Sequence, residues 1–122
     1  MPITYADAER TLIAGGYAPL HETTKVKGFS LGSSVVYLKK PKRTNNAVLR
    51  PLVVHADDVI AFDKLMSIAG VERSKGRSEF YHNANMREFG KRTNTGQRPT
   101  HFGVDFDFSG PAAMSSFLQA IH

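Results

Sequence analysis

Phe102-Gly103-Val104-Asp105-Phe106-Asp107-Phe108 alternates without a break. In an extended chain successive side chains point to opposite faces, so Phe102, Val104, Phe106 and Phe108 share one side and Gly103, Asp105 and Asp107 the other. That period reads as a strand of an antiparallel sheet with one face on the core, and it predicts both acids on the solvent side. Directly after it, Ser109 is the expected cap of a helix with Pro111 in its first turn and Ala113, Phe117, Leu118 and Ile121 facing inward. A half-buried strand that runs straight into an amphipathic helix points to a two-layer α+β fold. Helices then pack on one face of an antiparallel sheet of about four to five strands.

The rest of the chain supplies the other pieces. Residues 4–14 read as an amphipathic helix with Thr4 as N-cap, Asp7 in the first turn, and Ala8, Leu12 and Ile13 on one face, stopped by Gly15-Gly16. Tyr17 to Leu20 is a short strand or turn-in, and Pro19 argues against a central position. Phe29 to Leu31 and Ser34 to Leu38 have strand character, the second being β-branched and aromatic. Lys39 to Asn46 forms a polar, basic turn into a further strand over 47–55, with Pro51 marking an edge, bulge or break. A connection this short favours an antiparallel hairpin over a parallel crossover. Asp57-Asp58 open a second helix over 59–69, with Gly70 as its C-cap.

Composition narrows the class. With 122 residues the chain has the size of one domain, 1–122, and 41% apolar residues with eight Phe and four Tyr is enough for a core. The absence of cysteine excludes disulfides, thiolate metal sites, iron–sulfur clusters and Cys nucleophiles. No apolar run reaches the length of a membrane span, and the N-terminus lacks a signal-peptide pattern, so a cytoplasmic protein is expected.

The net charge of +5 is unevenly spread. Between Thr23 and Ala56 stand Lys25, Lys27, Lys39, Lys40, Lys42, Arg43 and Arg50 with no acid. Between Glu72 and His101 stand Arg73, Lys75, Arg77, Arg87, Lys91, Arg92 and Arg98 against three acids. Such clustering makes an attractive field for a polyanion, and it also serves solubility.

Several strings resemble one family. They are Val35-Val36-Tyr37-Leu38, the basic loop, Leu52-Val53-Val54-His55, and above all His101-Phe102-Gly103-Val104 with Phe108, then Ala113 and Phe117-Leu118. Together they resemble the small uncharacterised bacterial proteins typified by enterobacterial YgaC. The resemblance implies helices packed on one antiparallel sheet, similar to the N-terminal domain of TfoX-type competence regulators and, more remotely, to secretion chaperones. It implies no catalytic residues. Residues 72–100 depart from the family, being longer and more basic.

That departing stretch holds the richest candidate site. Tyr81, His82, Asn85, Arg87, Lys91 and Arg92, followed by Arg98 and His101, mix cations, amides and stackable rings, which suits contact with a nucleic-acid backbone or single strand. A structural reading competes, in which Phe80, Tyr81, Met86 and Phe89 anchor an Ω-like loop and the cations are its solvated face. Lys39, Lys40, Lys42 and Arg43 on a hairpin tip offer a second anion-binding cluster. His55, His82 and His101 lack close metal-ligand spacing, so no metal and no cofactor are expected. No P-loop, dinucleotide fingerprint or nucleophile elbow is present. The expected function is a non-enzymatic binding module for an anionic partner, nucleic acid or an acidic protein. The alternatives are a protein–protein or regulatory module, possible as a homodimer, and an enzyme with a site near His82, Arg87 and His101.

Overall fold

A computed structural model describes residues 3–41, 51–55, 62–72, 81–82, 86, 89, 91–93 and 99–121. Helix α1 (Tyr5–Ala14) starts where expected: the Thr4 hydroxyl accepts the Asp7 N–H at 3.2 Å, supplying one of the orphan donors of the first turn. It ends at Gly15, whose N–H reaches the Thr11 and Leu12 carbonyls, and the chain reverses through Gly16 at φ +95, a left-handed value that suits glycine. Ala8 and Leu12 are its buried stripe; Ile13 is exposed.

Strands β1 (Ala18–Glu22), β2 (Val26–Leu31), β3 (Ser34–Lys39) and β4 (Leu52–Val54) follow as an antiparallel meander. Pro19 sits on β1, the edge strand, beside a register shift between Pro19 and His21. Residues 42–50 of the expected basic turn and strand lie outside the described residues, as do 59–61 of the expected second helix. Helix α2 is Phe62–Met66, and Gly70 ends its turn at φ +85.

The long strand is β8 (Pro99–Phe108), and α3 (Pro111–Ala120) follows it. Sheet order is β1-β2-β3-β4-β8 with a last short strand, Val71–Glu72, beyond β8, all antiparallel. The strand count exceeds the expected four to five because residues 71–93 contribute three short segments, β5 (Val71–Glu72), β6 (Tyr81–His82) and β7 (Lys91–Thr93). The cause is the length of β8. It meets β4 over only Val104–Phe106, and its remaining backbone groups need partners. Segment β5 pairs at 107–108, β6 at 102–103 and β7 at 99–101.

All three helices pack on one face. Phe29, Val36, Leu38, Leu52, Val54, Val104, Phe106 and Phe108 meet Ala8 and Leu12 of α1, Leu65 of α2, and Ala113, Met114, Phe117 and Leu118 of α3. The Phe117 ring stands 4.7 Å from Phe106 and 5.3 Å from Phe108, contacts that add about 0.5–1.5 kcal/mol each to the area they bury. Ser109 is not the cap of α3. Its N–H is drawn to the Gly70 carbonyl at 2.8 Å, so the cap position falls to Gly110, with Pro111 in the first turn. Among the described residues no helix is long and apolar enough to cross a membrane.

Candidate functional site

The other face of the sheet carries a second, smaller core of Val26, Tyr37, Val53, Met86 and Phe89, with Val35 against it. Met86 and Phe89, two of the four expected anchors of the 72–100 stretch, are both buried on this face; Phe80 lies outside the described residues. Their presence reverses the expectation for Asp105 and Asp107, which are 1% and 5% exposed. Alternation in β8 correctly separated two faces; the second is simply covered too.

Register lines up one row across this face: His21 opposite Gly28, Gly28 opposite Tyr37, Tyr37 opposite Val53, Val53 opposite Asp105. Gly28 is needed for space. A Cβ there would lie 3.0 Å from Tyr37 Cε1 and 3.2 Å from the His21 ring. Across that gap His21 Nε2 meets the Tyr37 hydroxyl at 2.8 Å. One diagonal step away, Lys39 Nζ donates to Asp105 Oδ2 at 2.7 Å, with the lysine side chain 13% exposed. Two charges this buried persist only as a pair.

Lys39 is thus the last residue of β3, engaged with an internal carboxylate, rather than part of a solvated hairpin tip. Lys40 is bonded to Glu22, and this hydrogen bond holds the Glu22 carboxyl below the usual range. Lys27 pairs with Glu9 at 2.6 Å and Arg10 with Asp7. Much of the first basic segment that is described is therefore neutralised within the chain. Lys42, Arg43, Asn85, Arg87 and Arg98 lie outside the described residues.

The second basic segment is described through its backbone pairing. The backbone register sets Lys91 opposite His101, Arg92 opposite Thr100, Tyr81 opposite Gly103 and His82 opposite Phe102. Residues up to eleven positions apart, Tyr81 to Arg92, are thus set along four consecutive residues of β8. His101 is half-buried, and its Nδ1 lies 2.6 Å from the Phe89 carbonyl oxygen. A carbonyl only accepts, so Nδ1 carries the proton and the ring is fixed. Phe89 in turn is held edge-on to Tyr37 at 4.9 Å and to His55 at 5.4 Å. The small second core thereby positions the imidazole. Sequence reasoning missed this link and the Lys39–Asp105 pair, because both join segments far apart in the chain.

Two open grooves flank α1, one of about 530 Å³ beside α3 and one of about 560 Å³ beside Lys27. Neither is lined by a candidate site residue read from the sequence. Among the described residues no three His, Asp or Glu side chains gather as metal ligands. Comparison of the chain with protein-family models and with curated proteins returns no match, so the functional reading rests on the residues themselves.

Proposed function

We propose that this chain is a non-enzymatic, cytoplasmic binding module that holds an anionic partner, nucleic acid above all, where β6 and β7 meet β8. One observation carries the reading: the register that brings Lys91, Arg92, His82 and Tyr81 alongside Thr100–Gly103. Residues 72–101 supply seven cations against three carboxylates, whereas Lys39 and Lys40 are engaged with Asp105 and Glu22. The field of such a surface concentrates polyanions near it. The resemblance to YgaC-type bacterial proteins belongs to the same proposal, and the helices-on-one-sheet fold agrees with it. Pairing of two copies through the outer edge of β1 is disfavoured by Pro19 and the adjoining register shift, both features that blunt a sheet edge.

Fluorescence anisotropy with labelled oligonucleotides across a salt series tests the proposal. Binding should weaken steeply with salt, and Lys91→Glu/Arg92→Glu should weaken it further and flatten the slope by about 0.7–0.9 for each phosphate contact removed. Flat anisotropy at the lowest salt, with the protein folded by circular dichroism, rejects it.

A further inference from the structure

We infer that the layer on the second face, carrying β6, β7, Met86 and Phe89, opens from the sheet as a cooperative unit of its own while the helix-side core stays folded. Such opening is a property of the fold and does not depend on the anionic partner.

The two faces of the sheet are held unequally. Among the described residues eighteen buried side chains join the helix-side core, drawn from α1, α2, α3 and the sheet. Five join the second core, and of these Met86 and Phe89 belong to the covering layer. Burial stabilises in proportion to the apolar area removed from water, so lifting this layer gives up a fraction of what unfolding the helix side gives up. The backbone pairing of β8 has a matching boundary. Residues 104–106 pair with β4 and 107–108 with β5, and both partners belong to the helix-side core through Leu52, Val54 and Val71. Residues 99–103 pair with β7 and β6 instead. The seam between the two units therefore falls between Gly103 and Val104.

What lies beneath the layer lowers the cost of opening further. An all-apolar face would be left against water. Here His21 Nε2 keeps the Tyr37 hydroxyl, Lys39 Nζ keeps Asp105 Oδ2, and Asp107 Oδ1 keeps the Phe108 N–H, because each of these bonds is made within the sheet. The side chains of Lys39 and Asp105, 13% and 1% exposed when covered, regain water as the layer lifts. Burying an ion pair is unfavourable, so its rehydration offsets part of the packing lost with Met86 and Phe89. The bond from His101 Nδ1 to the Phe89 carbonyl is broken in the open state.

Native-state hydrogen exchange of the full chain, followed by NMR at urea concentrations below the unfolding transition, tests this. Protected amides of residues 100–103 should exchange at least about tenfold faster than those of 36–38 and 104–106, with a shallower urea dependence because less surface is exposed. Two variants separate the units. Phe89 loses its packing in the open and the unfolded state alike, so Phe89→Leu should speed exchange in both groups by the same factor. Phe117 stays packed in the open state. Phe117→Leu should therefore speed exchange at 36–38 and 104–106 by about tenfold and leave 100–103 within about twofold of the parent. Leu12→Val makes the same comparison from α1 with a smaller loss of volume, should Phe117→Leu not fold. Equal rates and equal urea dependence in the two groups overturn the inference. So does a rise at 100–103 in Phe117→Leu or Leu12→Val that matches the rise at 104–106. Exchange of 100–103 at the rate of an unfolded chain overturns it too, since no docked layer would then exist to open.

Discussion

Phe89 rests on Gly103. A Cβ built on Gly103 would stand 2.9 Å from Phe89 Cε2, 2.6 Å from Val53 Cγ1 and 2.8 Å from the Val54 carbonyl oxygen. The glycine is there for space, and the aromatic ring fills the space it leaves. Through this contact the 72–100 stretch is fastened to the middle of β8, and the Phe89 carbonyl is brought to His101. Gly103→Ala should therefore cost about 1–3 kcal/mol by overpacking, and Phe89→Ala roughly 3–5 kcal/mol by leaving a cavity. Combined, the two should cost clearly less than their sum, because an alanine methyl can occupy part of the vacated ring site. Urea denaturation of the four proteins measures the cycle; strict additivity would show that the contact carries no coupling.

The Lys39–Asp105 pair makes a second, sharper case. With Asp105 sealed from solvent, removing either partner takes the ion pair away from the other. Asp105→Ala or Lys39→Ala should each destabilise by about 3–5 kcal/mol, with the aspartate variant at the lower end because the lysine amine it leaves behind is nearer water. Lys39→Met/Asp105→Leu exchanges the pair for apolar bulk and should recover most of that loss. A double variant as unstable as the worse single one would mean that the pair's other contacts, rather than its charge balance, decide stability.

These two relationships mark the boundary of what was legible in the sequence. Thr4, Gly15-Gly16 and the strict alternation over 102–108 are local signals, and helix α1, its stop and β8 follow from them. The burial of Met86 and Phe89 was legible too, since large apolar residues in a polar stretch need somewhere to go. What covers the far side of β8 is not local. Asp105 and Asp107 look solvent-facing because alternation distinguishes faces without saying whether a second layer lies over either. The same blindness placed Lys39 in a turn: its carboxylate partner lies 66 positions along the chain. The candidate site was found as a list of residue types, yet its grouping is a product of β6 and β7 docking on β8, which no spacing rule encodes.

Tyr37 and His21 offer a test of the row that crosses the second face. The Tyr37 hydroxyl is buried and engages His21 Nε2 over a glycine. Tyr37→Phe should cost about 1 kcal/mol, the usual net value of one hydrogen bond, while leaving the ring's packing on Phe89 in place. Gly28→Ala pushes directly on both rings and should cost as much or more. Thermal melts rank them; a Gly28→Ala protein as stable as the parent would show that the two rings can part without penalty.

Tyr5 gives a prediction in pH. Burial, reinforced by the carboxylates of Glu9 and Glu22, pushes its phenol up to about 12. In the unfolded chain a tyrosine ionises near pH 10. Between those values the unfolded state releases its proton while the folded state keeps it, so the unfolded state binds fewer protons and stability falls as pH rises. The contribution is intact below about pH 10 and is lost as pH climbs through about 12. Phenolate absorbance of the parent minus that of Tyr5→Phe should rise only above the range of an ordinary tyrosine. Glu9→Gln should move that rise to lower pH, by less than the whole shift because burial is the larger cause. The urea midpoint of Tyr5→Phe should fall less than the parent's across the same interval. A difference spectrum centred near pH 10 would show that the phenol is as well solvated folded as unfolded, and that α1 does not shelter it against the sheet.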